Sequence, residues 1–201
     1  MADIPLTYTA VDTSSRTVSP STVEVTLEQP TSSTTALSGR KQVRSFGSNA
    51  YTVKMIFPPL TEEDRLQLTA LLASKRGGLT TLTVSPVNLQ TKKGSAATTA
   101  DIINAESAIG DTTITLDAAT AGQYTPGEFI NFSGHTKAYQ VIQQSGNQLT
   151  IEPGVLETVP ASNTIKSGSA FQMTVRLSNE LKFTQTTDNF SSITLEFVES
   201  F

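Results

Sequence analysis

The chain has 201 residues, a formal net charge of −4, a single His and no Cys. That length can bury a substantial core, while the missing Cys excludes disulfide stapling and thiolate chemistry, and a lone His excludes metal sites that need two imidazoles. No stretch approaches the roughly 18 apolar residues of a membrane helix, and "MADIPLTYTAVD" lacks a basic segment followed by an apolar run, so neither a membrane span nor an export signal is expected.

In chain order, the first clear element is "STVEVTLE", where alternation predicts a strand with Val23, Val25 and Leu27 inward and Thr22, Glu24, Thr26 and Glu28 facing water. "QPTSSTTALSGRKQVRS" follows, a polar loop too long for an ordinary hairpin turn. "YTVKMIF" predicts a second strand burying Tyr51, Val53, Met55 and Phe57. Pro58 and Pro59 stop it, because neither has an N–H for a ladder.

"LTEEDRLQLTALLASKRGG" is the one predicted helix. Thr61 is its N-cap, Glu62, Glu63 and Asp64 sit at the positive end of its dipole, and Leu68, Leu71 and Leu72 form a narrow apolar stripe. Lys75 and Arg76 suit the last turn, and Gly77 is expected to take the left-handed position after it. Such a helix fits against one side of a β-sandwich as a packing element. "LTTLTVSP" then returns to strand.

Two polar joints, "NLQTKKGSAATTA" and "SNTIKSGSA", flank a middle segment, as expected when one domain is inserted into another. The predicted outer domain spans 1–91 and 168–201, and the inserted domain 92–167. Five short strand candidates lie in the insert: "DIIN", "DTTITL", "EFINF", "KAYQVIQ" and "QLTIE". Gly-containing turns separate them. This count suits a small OB-like β-barrel, and a small meander has the same count. After the insert, "FQMTVRLS" predicts Phe171, Met173, Val175 and Leu177 inward, and "SSITLEFVES" predicts Ile193, Leu195 and Phe197. The expected fold class is therefore all-β: a β-sandwich with one α-helix, carrying an inserted small OB-like β-barrel domain.

Charge is uneven. Between Ser95 and Ile165 one cation, Lys137, faces seven acids, Asp101, Glu106, Asp111, Asp117, Glu128, Glu152 and Glu157. Such a segment repels phosphate backbones, so nucleic acid is not an expected ligand. No phosphate-binding loop or dinucleotide fingerprint is present. His135 lies in "SGHTK" without a "GxSxG" elbow, and is expected to be a solvated or capping turn residue. The acids lack the calcium-loop pattern. Paired carboxylates for glycoside cleavage are a weaker reading than a solvated rim, because Asp111, Asp117, Glu128 and Glu152 fall at strand ends and turns. No catalytic, cofactor-binding or metal residue is predicted, and no enzyme activity. Of the insert aromatics Tyr124, Phe129, Phe132 and Tyr139, two or three should fill the barrel. Tyr124, beside "TPGE", is the candidate for an exposed glycan contact.

This order of parts resembles the siphophage distal tail proteins. The resemblance rests on "STVEVTLEQ", the loop "TTALSGRKQVRSFGSNAYTVKMIF", the strand, helix, Gly and strand run "PPLTEEDRLQLTALLASKRGGLTTLTVSP", the barrel-like "GDTTITLDAATAGQYTPGEFINFSGHTKAYQVIQQSGNQLTIEPGVL", and the closing "FQMTVRLSNELKF" with "SSITLEFVESF". It covers nearly the whole chain, and its motifs are architectural. It implies a structural virion protein in the phage tail, assembled in the host cytoplasm as a homohexameric ring that joins the tail tube protein to a baseplate hub or tail-tip protein. In a ring with heterologous contacts, the long polar loop is expected to reach a neighbouring subunit, with Arg40, Lys41 and Arg44 meeting acids there. A carbohydrate-binding tail module that attaches to a host-surface glycan is the alternative reading.

Overall fold

Alternating side chains build the main sheet of the computed structural model, which describes residues 3–45, 49–86, 99–117, 123–178, 183–185 and 191–201. Its strands are β3 (Thr22–Glu28), β6 (Ala50–Ile56), β7 (Leu82–Val84), β14 (Met173–Leu177) and β16 (Ser191–Glu199), antiparallel in the order β3–β6–β16–β14–β7, with the short β15 (Phe183–Gln185) also on β16. The inward sets are those alternation predicts: Tyr51, Val53, Met55 and Phe57 from β6 and the residue after it, Phe171, Met173, Val175 and Leu177 around β14, and Ile193, Leu195 and Phe197 of β16 are all buried. Val23, Val25 and Leu27 are only half-buried, as suits an edge strand.

The core over this sheet is closed by two pieces. One is a hairpin of β1 (Leu6–Thr9) and β2 (Ser15–Val18), not foreseen from the sequence, which contributes Leu6, Tyr8 and Val18 to the same cluster. The other is α1 (Glu62–Ser74), which buries Leu68 and Leu72 completely and packs Leu71 against them. Each fully buried leucine contributes about 1.5–3 kcal/mol. Hairpin and helix are also tied to each other: the Tyr8 hydroxyl donates to Asp64 Oδ1 at 2.6 Å, and Val11 N donates to Glu63 Oε1 at 2.8 Å. Burial and the Asp64 hydrogen bond push the Tyr8 hydroxyl up to about 12. Residues 3–5 cover the edge of β7, with Asp3 N donating to Thr83 O at 2.7 Å and Ser85 N to Ile4 O at 2.8 Å.

Thr61 caps the helix as expected, its hydroxyl accepting from Asp64 N at 3.3 Å. Thr61→Ala is expected to cost about 1 kcal/mol, read as a lower urea midpoint at unchanged slope. A midpoint equal to that of the parent would mean the cap contributes nothing. The C-terminal end differs from expectation. Arg76, not Gly77, is left-handed, with φ 51°, and Gly77 opens a short 3-10 turn. The glycine that cannot be replaced is the next one: a Cβ on Gly78 would lie 2.7 Å from the backbone oxygen of Leu177. Close approach of this turn to β14 fixes the backbone there, and the strain of a positive φ falls on Arg76.

The middle of the chain forms a second six-stranded sheet with its own core. Its strands are β8 (Thr99–Ile102), β9 (Thr113–Thr115), β10 (Phe129–Phe132), β11 (Tyr139–Ser145), β12 (Gln148–Glu152) and β13 (Thr164–Ser167), in the order β8–β13–β10–β11–β12–β9. All five strand candidates are present. The sixth, β13, occupies "TIKS", which reads as linker because only Ile165 in it is apolar. In the ladder, Thr99 pairs with Lys166. The end strands meet through one bridge, Ile103 with Leu116, and a 2.9 Å bond from Asn104 N to Thr115 O. The expected small barrel therefore takes the form of a curled sheet whose seam is a single bridge, not a closed ladder. The joint at 88–98 lies outside the described residues.

The last described element pair, β4 (Thr31–Thr35) with β5 (Lys41–Ser45), is a two-stranded ribbon separate from both sheets. The predicted loop is thus a long hairpin. Its polar Thr, Ser and Gln residues form strands without any apolar face, which is why alternation does not reveal them.

Candidate functional site

The hairpin positions Arg40, Lys41 and Arg44. Gly39, with φ 77°, lets the tip turn, and Ala36 N donates to Arg40 O at 2.9 Å across it. Ladder pairs Thr35–Lys41, Ser33–Val43 and Ser32–Arg44 fix the register. Because strand side chains alternate, Lys41 shares one face with Val43, while Arg44 lies on the other with Gln42. The structure brings the three cations together on one ribbon but not on one face. All are exposed, none makes an ion pair among the described residues, and no acid lies between Thr31 and Ser45. Leu37 at the tip is fully exposed and Val43 is 64% exposed.

Tyr124 is not where a glycan platform needs it. The residue is 2% exposed and belongs to the middle core with Phe132 and Tyr139. Its backbone N donates to Gln144 Oε1 at 2.8 Å, which draws the turn down onto β11. A curled sheet this small needs large side chains to fill its interior, and Tyr124 supplies one. The aromatic that leaves this core is Phe129, which packs on the main core at ring distances of 5.4 Å to Tyr51 and 5.9 Å to Phe171.

Two of the four acids expected at a solvated rim are also placed otherwise. Asp111 and Asp117 are exposed, whereas Glu128 is buried and Glu152 is half-buried, accepting from Asn49 Nδ2 at 2.9 Å. His135 sits in the turn after β10, half-buried, with its ring edge-on to Phe132 at 5.7 Å. Among the described residues no group of three or more His, Asp or Glu is arranged to hold a metal, and no helix is long and apolar enough to cross a membrane.

The most unusual chemistry lies where the two sheets meet, at a place sequence reasoning missed. Lys137 and Glu199 are both buried, with the Lys137 ammonium donating to Glu199 Oε2. Lys137 Nζ also donates to Asn49 O at 2.7 Å, and Glu199 accepts from Ala138 N at 2.6 Å and Tyr51 N at 3.2 Å. The ammonium lies 5.2 Å from the Tyr51 ring centre and 4.6 Å from that of Phe201. Burial pushes the Glu199 carboxyl above its ordinary range and the Lys137 ammonium below its own, each countered in part by the other's charge. Beside the pair, a small cavity of about 80 Å³ is lined by His135, Tyr139, Leu156, Glu157 and Phe201 among others.

A signal for this pair was present. Glu199 continues the inward series Ile193, Leu195, Phe197, and Lys137 lies two positions before the inward Tyr139. No family model matches this chain, and no curated protein matches it.

Proposed function

We propose that this chain is a structural subunit of a phage tail, acting as a distal tail protein whose ring joins the tail tube to the tip or baseplate hub. The observation that carries the reading is the β4–β5 ribbon. An isolated two-stranded hairpin is at best marginally stable in water, and this one exposes both faces, both edges and a fully exposed Leu37. Such a ribbon gains its stability by docking. Its cations, which make no ion pair among the described residues, suit an acidic partner surface, and a heterologous contact of this kind gives a ring when its rotation closes. The discontinuous division into an outer domain, 1–91 and 168–201, and an inserted domain, 92–167, belongs to the same reading and is supported by the two separate cores.

Mass in solution tests it. The unmodified chain is expected to scatter as a closed oligomer, a hexamer on the tail reading, and Arg40→Glu combined with Arg44→Glu is expected to give monomers. A monomeric parent, or a charge-reversed variant with unchanged mass, overturns the proposal.

A further inference from the structure

Apolar packing between two cores is non-directional and tolerates sliding, whereas a buried, hydrogen-bonded charge pair tolerates one arrangement. The contact between the two sheets contains both. Its apolar part is Phe129 against Tyr51 and Phe171, with Ala138 joining the main core. Its polar part is Lys137–Glu199 with the bonds to Asn49 O, Ala138 N and Tyr51 N, together with Asn49 Nδ2 to Glu152 and Asn131 Nδ2 to Gln172 O at 3.0 Å. Around it the Tyr51 hydroxyl, Asn49 Oδ1 and Asn131 Oδ1 are buried without a hydrogen-bond partner in the described structure. A surface that leaves such atoms unpaired is not optimised for stability as either core is.

We propose that Lys137 and Glu199 form an orientation lock, a positioning pair that fixes the middle sheet in one pose on the main sheet. Among the described residues the pair is the most heavily bonded point of the junction, with the Asn49–Glu152 bond adjoining it and the Asn131–Gln172 bond as a separate contact. Asn49 extends the lock further, because it stands immediately before β6, on the chain returning from the β4–β5 ribbon. The same node therefore fixes the pose of the middle sheet and the return point of the ribbon. This inference concerns one chain and holds whether or not that chain forms rings.

Residual dipolar couplings of backbone amides measure the relative pose directly. For the unmodified full chain, amides of β3, β6 and β16 and amides of β10, β11 and β12 are expected to fit one alignment tensor. In Lys137→Met/Glu199→Gln the two groups are expected to require two tensors, while amide shifts within each sheet stay close to those of the parent. Phe129→Ala, which removes apolar contact but leaves the pair, is expected to keep one tensor. Two tensors in the unmodified chain overturn the proposal. So does a single tensor in the double variant, or a common tensor lost in Phe129→Ala. If the double variant does not fold, the unmodified chain and Phe129→Ala carry the test.

Discussion

Lys137→Met is expected to lower the unfolding free energy by about 3–5 kcal/mol, the largest effect of any single substitution outside the apolar cores. The loss does not measure the worth of the ion pair. It arises because Met leaves the Glu199 carboxylate buried, with two backbone donors, Ala138 N and Tyr51 N, and no counter-charge. Adding Glu199→Gln should therefore recover part of it. The neutral amide needs no cation and its oxygen still accepts from Ala138 N, while its NH₂ now faces Tyr51 N, a mismatch that leaves about 1–3 kcal/mol unrecovered. Urea unfolding of both single variants and the double variant gives the coupling energy. A Lys137→Met variant that loses under about 1 kcal/mol would mean that water reaches the carboxylate and the pair is not a buried one.

Phe197→Ala is the second large effect, expected at about 3–5 kcal/mol from lost burial and the cavity left behind. Phe197 is fully buried and sits on the central strand, opposite Val53 in β6 and Leu177 in β14. Its removal weakens the contact between the first and last parts of the chain at once. Far-UV circular dichroism with urea would show the midpoint fall. The expectation fails if the loss stays within the range of about 0.5 kcal/mol typical of surface positions, because the C-terminal strand would then not be part of the core.

What the sequence made legible follows from what kind of information each feature carries. Strands buried on one face announce themselves by alternation, so β3, β6, β14 and β16 were readable with their inward residues, and the helix by its cap and leucine stripe. The β4–β5 ribbon carries no such alternation because neither face is buried, and four-residue β13 is too short to show one. Tyr124 is buried where the sequence points to exposure, because a polar neighbourhood in sequence says little about what a curled sheet needs to fill its interior. Arg76 took the left-handed position because Gly78 was needed against Leu177, a contact made across the fold. Lys137 and Glu199 each stood at a position that strand parity turns inward. Their pairing was not readable, because it depends on how two separate cores meet. Arg40, Lys41 and Arg44 are exposed on the ribbon, and whether they meet acids of a neighbouring subunit is not a matter a single chain decides.

The neighbouring placement of Thr99 and Lys166 has a further consequence. Tyr51 and Glu199, joined in the main sheet, are 148 positions apart in the chain, a long loop to close from an extended coil. Once the middle sheet has formed, its entry and exit lie side by side, and the chain between the two halves of the main sheet is effectively shortened to its connecting segments. Closure entropy rises only logarithmically with length, by about 0.6 kcal/mol per doubling, and the shortening is a little under one halving, so the saving is about 0.5 kcal/mol. Its sign makes a prefolded middle segment a small aid to completing the surrounding fold and not a burden on it.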